Sequence, residues 1–178
     1  FVVTDRTPFY LEAGGQVSDT GTIEAPGVSA AVDGVVRVSP GGPRAHRVTT
    51  TTGPLESGAT VTLAVDAVRR DAIRRNHTAT HLLHAALRQV LGGHVKQAGS
   101  LVAPDRLRFD FAHFSAVTRD QWLEIEAIVK QTTEDAAVSI AARWPSALIS
   151  AALRRSDISA GDFRARSWLT MPCASRTT

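Results

Sequence analysis

The sequence predicts an α+β chain: a small β-barrel-like or meander segment, then a mixed segment built on a long histidine-bearing helix. Two observations carry this. Residues 1–65 hold short β-branched runs punctuated by glycine and proline, whereas Asp66 to Leu91 contains neither breaker. Downstream, two strand-like runs precede a second apolar periodicity of helical spacing. The expected subdomains are residues 1–65 and 66–178.

Taken in order, Phe1 to Thr4 is apolar and β-branched, and Pro8, Gly14, Gly15, Gly21 and Gly27 then break the chain at turn-like intervals. Val28 to Val38, Arg44 to Thr52 and Ala59 to Val65 read as strands. Between them stand Pro40-Gly41-Gly42-Pro43 and Gly53-Pro54. Asp66 suits the N-cap of the long helix and Gly92-Gly93 its stop. His94 to Gly99 and Arg106 to Phe111 read as strands joined at Pro104-Asp105. Thr118 caps a second helix from Arg119 to about Lys130, where Trp122, Ile125, Ile128 and Val129 keep helical spacing. Val138 to Leu153 is alanine-rich and broken by Pro145. Beyond Leu153 neither a clean strand nor a helix is legible.

Composition narrows the class. Among 178 residues, 43% are hydrophobic and 21% charged, which excludes disorder throughout. No apolar run approaches the roughly 20 residues that span a bilayer, so no membrane partner is expected. Cys173 is the single cysteine, which excludes an internal disulfide. With no secretory leader the expected compartment is the cytoplasm. A chain that opens on Phe1 without Met is expected to be a piece of something longer. The net charge of +3 is a mild pointer to an anionic partner.

The strongest chemical signal is His77, His81 and His84, at i, i+4 and i+7 on one helix face. Imidazoles one turn apart can share a zinc ion, and a thiolate such as Cys173 can add a third ligand. The same spacing also suits histidines that merely line a core edge or a polar surface. No Glu follows His77, so the His-Glu-x-x-His protease chemistry lacks its base and is excluded. Arg69, Arg70, Arg74 and Arg75 form either a phosphate-binding set or a solvated helix face with Asp66 and Asp71 nearby. Gly14-Gly15-Gln16 is a tight turn that lines a site or simply reverses the chain, without the spacing of a nucleotide loop. Gln97 and Ser100 either reach a pocket or satisfy backbone groups, and Phe109 and Phe111 suit a core better than a base platform.

Together these stretches resemble the editing domain of alanyl-tRNA synthetase and the stand-alone alanyl-tRNA editing proteins. The matching motifs are Asp5-Arg6-Thr7-Pro8-Phe9-Tyr10 leading to Gly14-Gly15-Gln16-Val17-Ser18-Asp19-Thr20-Gly21, and Arg75-Asn76-His77-Thr78-Ala79-Thr80-His81-Leu82-Leu83-His84. His94-Val95-Lys96-Gln97-Ala98-Gly99-Ser100 and Leu107-Arg108-Phe109-Asp110-Phe111 complete the set, over residues 1–130. The resemblance implies a β-barrel-like subdomain, an α/β editing subdomain with a zinc ion, and hydrolysis of Ser- or Gly-tRNA(Ala). It implies His77 and His81 as zinc ligands, Thr80 and Gln97 as pocket residues, and Gln16 in a loop beside the pocket. The implied partners are the tRNA acceptor end and the rest of an ATP-using synthetase.

The tail departs from this pattern. The family completes its zinc site with Cys-Gly-Gly-Thr-His, whereas Cys173 precedes Ala174-Ser175-Arg176-Thr177-Thr178 and no histidine follows His113. Residues 131–178 therefore read as divergent or as the product of a shifted frame. His84 is a substitute ligand in that reading. The competing expectation is a catalytically silent tRNA-binding module that has lost its complete zinc site.

Overall fold

A computed structural model describes residues 1–137, 166–167 and 170–172. The chain divides into two units, Phe1–Asp71 and Ala72–Thr178, and the class is α+β as expected.

The first unit is one curled antiparallel sheet of β1 (Val2–Val3), β2 (Gly21–Ala25), β3 (Val28–Arg37), β4 (Arg44–Thr51) and β5 (Thr62–Val65), ordered β1-β4-β3-β2-β5. The β2–β3 turn pairs Ala25 with Val28 across Pro26-Gly27. Proline fixes its own φ near −65° and Gly27 supplies a φ of 73°, the combination a type II turn requires. Along β3, Ala30 and Val32 are buried while Ser29, Ala31 and Asp33 are exposed, the alternation of a sheet with one covered face. The register with β4 slips at Ala31/Val32 and again at Val32/Gly34. Such irregularities bend a strand and raise its twist, which gives the barrel-like curl. Phe9, Ile23, Ala30, Val32 and Val35 fill the concave side.

Strand β2 was not expected from sequence. Its stretch Gly-Thr-Ile-Glu-Ala offers a single large apolar residue, Ile23, which is fully buried between β3 and β5. A Cβ on Gly21 would run into the carbonyl oxygen of Ala64, so glycine is what lets β5 pair there.

Helix α1 (Ala67–Leu91) follows. The Asp66 carboxylate accepts the Arg69 N–H at 2.9 Å, the expected N-cap. Gly92, with φ of 110°, donates its N–H to the Arg88 carbonyl at 3.0 Å and stops the helix. Ile73, Asn76, Thr80, Leu83, Leu87 and Leu91 recur at three- and four-residue steps along its buried stripe.

In the second unit β6 (Lys96–Val102) and β7 (Arg106–Ala112) form a hairpin. Leu107, Phe109 and Phe111 are buried with Leu83, Leu87, Trp122, Ile125 and Val129, so the two phenylalanines are core, as the sequence suggested. Helix α2 (Arg119–Ala137) opens on a capping box. Thr118 Oγ1 accepts the Gln121 N–H at 3.3 Å, and Gln121 Oε1 accepts the Thr118 N–H at 2.9 Å. The helix runs past Lys130, where apolar spacing ends, and the Thr132 and Thr133 hydroxyls donate to the Ile128 and Val129 carbonyls.

Two further strands correct the reading of the tail. Strands β8 (Arg166–Ser167) and β9 (Thr170–Pro172) pair antiparallel with β7. Strands of two and three residues are too short for an alternation signal and exist through the β7 edge they complete. The stretch 138–153 and Cys173 lie outside the described residues.

Candidate functional site

The exposed face of α1 brings His77 and His81 together. Their ring centroids are 5.0 Å apart with planes at 38°, and both side chains are exposed. Two imidazoles on adjacent turns suit two of the four positions of a tetrahedral zinc. Cys173, the third expected donor, lies outside the described residues. His84 is not placed with the pair. Its ring lies against Phe109 at 5.2 Å and its Nε2 stands 3.5 Å from the Val95 carbonyl oxygen, because this end of the stripe turns into the core. Among the described residues no group of three or more His, Cys, Asp or Glu converges.

Thr80, between the two histidines in sequence, is buried, and its hydroxyl donates to the Asn76 carbonyl at 2.9 Å. The Thr80 oxygen thus keeps its acceptor capacity for another donor. Asn76 in turn donates its side-chain amide to the Ala103 carbonyl at 2.6 Å, which fixes this turn of helix to the β6–β7 connection.

Gln97 is exposed on β6, and its Nε2 donates to Ser100 Oγ at 3.1 Å. The two side chains thus meet each other directly. Between Gln97 and Gly99 the register with β7 shifts by a residue, leaving Ala98 as a bulge that re-aims its neighbours. A Cβ on Gly99 would lie 2.6 Å from Asp110 Oδ2, so the bulge also makes room for that buried carboxylate.

Gln16 belongs to the first unit. Gly14 and Gly15, with φ of 59° and 82°, form a two-residue turn closed by hydrogen bonds between Ala13 and Gln16 at 3.0 and 3.2 Å. A shallow hollow between Thr20, Thr22, Ala64 and Asp66 opens in the same unit, and none of the expected site residues lines it.

The four arginines divide. Arg70 donates Nη2 to Asp19 Oδ2 at 2.5 Å and to the Pro8 carbonyl at 2.6 Å, while Nε reaches Asp19 Oδ1 at 3.3 Å. The hydrogen bond to Asp19, reinforced by its charge, raises the Arg70 pKa above the ordinary guanidinium value. Asp19 is buried and also accepts the Tyr10 N–H at 2.6 Å. Arg69 donates to the Ser18 carbonyl at 2.7 Å. Both guanidiniums thus tie the 8–19 segment to the start of α1. Arg74 is exposed and Arg75 half-buried on the next turn.

One cluster escaped the sequence reading. His94 Nε2 and His113 Nδ1 are 2.8 Å apart, with one imidazole donating to the other, and Phe114 stacks on His94. The antiparallel register Lys96↔Ala112 was the available signal, since it brings the residues just outside both hairpin ends together. Burial, then the neighbouring His94, pushes the His113 pKa below its ordinary value.

Comparison with known proteins gives consistent matches. Residues 1–69 match the family described as tRNA synthetases class II (A). An alanine–tRNA ligase of Thermotoga petrophila is 51% identical over 145 residues, 82% of this chain and 17% of that protein. One from Bordetella pertussis is 55% identical over 128 residues, 72% of this chain and 14% of the relative. One from Listeria monocytogenes is 52% identical over 130 residues, covering 73% and 15%. The chain thus spans less than a fifth of the length of these relatives. Over 72–82% of its length the chain is about half identical to one segment of these alanine–tRNA ligases.

Proposed function

We propose that this segment is the editing region of an alanine–tRNA ligase and hydrolyses the ester of Ser- or Gly-tRNA(Ala). The observation that carries the reading is the exposed His77–His81 pair flanking a buried Thr80 hydroxyl, in a chain about half identical to alanine–tRNA ligases. An alanine-sized synthetic pocket discriminates poorly against serine, and a second hydrolytic site corrects the error.

In this scheme Thr80 reads the substrate side chain. Its own proton is committed to Asn76, so its oxygen accepts from the hydroxyl of serine. A seryl ester completes that bond and places its carbonyl beside the histidine face. His77 and His81 would hold a zinc ion, which would supply Lewis acidity at the ester or orient the acylated ribose. Gln97, re-aimed by the β6 bulge, offers an amide to the tRNA end. Among the arginines, Arg75 is the first choice for acceptor-stem phosphates, because Arg69 and Arg70 already hold Ser18 and Asp19. The partners are the acceptor end of tRNA(Ala) and the remainder of a longer, ATP-using ligase in the cytoplasm. Among the described residues no helix is long and apolar enough to cross a membrane.

The test is zinc content and deacylation of seryl-tRNA(Ala) by the purified chain, beside His77→Ala/His81→Ala. Stoichiometric zinc and turnover, both lost in the double variant, support editing. Retained tRNA binding with neither zinc nor turnover identifies a silent binding module and overturns the hydrolytic reading.

A further inference from the structure

The ring cluster of Phe114, His94 and His113 lies at the open end of the β6–β7 hairpin, where Gln97 pairs with Phe111. Phe114 lies on His94 with ring centroids 4.3 Å apart and planes at 22°, and His94 meets His113 edge to edge through their hydrogen bond, with centroids 5.0 Å apart and planes at 18°. Phe114 and His113 stand 6.2 Å apart with planes at 37°, so the stacked pair is Phe114 on His94. Phe114 is 85% exposed. An exposed phenylalanine leaves apolar surface in water, yet this one is held flat by the imidazole behind it. That imidazole is itself anchored by the 2.8 Å hydrogen bond to His113.

The two segments that meet at the rings, 92–101 and 111–119, carry Lys96 and Arg119, while Asp110 and Asp120 stand immediately before and after 111–119. Lys96 is exposed and paired in register with Ala112, the residue before His113. The Arg88 guanidinium reaches over Gly93, so that a Cβ there would lie 3.9 Å from its Nη2. A flat aromatic face with cations nearby is an arrangement that binds single-stranded nucleic acid, through base stacking and phosphate attraction.

We infer that Phe114, backed by His94 and His113, is a stacking platform for an unpaired nucleobase of a single-stranded RNA end, with Lys96 and Arg88 at its phosphates. The inference rests on the reading of this segment as tRNA-binding and adds to it a site remote in sequence from His77, Thr80 and His81. Stacking tolerates any base, since every base has a π-face, so the platform selects an unpaired end rather than a sequence.

The experiment uses the purified chain and a short single-stranded oligoribonucleotide carrying 2-aminopurine at its 3′ end. Stacking quenches that fluorophore. The wild type is expected to bind with quenching, and Phe114→Ala to bind roughly 5- to 150-fold more weakly without it, the range for removing one base–aromatic stack. Phe114→Trp is expected to restore both, and an abasic 3′ end to make wild type and Phe114→Ala equal. Because the side chain is exposed, the melting temperature of Phe114→Ala is expected to match the wild type. Equal affinity and quenching in wild type and Phe114→Ala overturns the platform while leaving tRNA binding intact. Absence of any RNA binding by the wild type overturns the platform together with the reading beneath it. Deacylation of seryl-tRNA, measured separately, reports on the histidine site alone.

Discussion

At the residue scale, one buried ion pair decides how the first unit is closed. Asp19 is 2% exposed, and its carboxylate meets Arg70 and the Tyr10 N–H. Arg70→Ala leaves that carboxylate without its cation, and about 1–3 kcal/mol of stability should be lost in denaturant titration. Arg70→Lys should recover part of it, since an ammonium cannot reproduce the two-toothed contact. Thr80→Val keeps the shape of the site but removes the oxygen that accepts from serine. Seryl-tRNA cleavage should fall about 2- to 13-fold relative to glycyl-tRNA, the worth of one neutral hydrogen bond, and an unchanged ratio refutes the sensing role. His113 predicts a pH effect of definite sign. Its pKa is lowered by burial and by His94, so between the folded and unfolded values the unfolded chain binds more protons. That contribution is whole above about pH 6.5 and is lost as pH falls through the lower, folded value. A His113→Gln variant should show a smaller decline in melting temperature below that pH.

At the element scale, the clearest signals were the caps. Asp66, Gly92 and Thr118 stand where helix ends leave backbone groups unpaired, and each does so through a local bond that sequence spacing reveals. Strand β2 shows the opposite case. Gly21 is required by a neighbour 43 positions away in the chain, Ala64, and local composition does not disclose such a contact. Gly21→Ala should therefore destabilise by about 1–3 kcal/mol through forced displacement of β5, seen as a lower denaturation midpoint. The outer strands β8 and β9 likewise owe their existence to the β7 edge.

At the scale of the whole molecule, the net charge of +3 is modest, so any RNA affinity must come from where cations stand. Arg75→Ala should weaken tRNA binding and reduce the salt slope by about 1, as loss of one phosphate contact does. An unchanged slope removes Arg75 from the interface. The sequence by itself determined the α+β class, the long helix with its caps, the pairing of His77 with His81 and the core role of Phe109 and Phe111. All of these depend on spacing within one element, which is fixed by backbone periodicity. Tertiary structure alone decided that Arg70 serves Asp19, that His84 turns inward, that Thr80 spends its proton on Asn76, and that His94 meets His113 and Phe114. Each of those outcomes depends on which buried polar group or ring lacks a partner once the chain has folded, and that competition is settled in space rather than along the sequence.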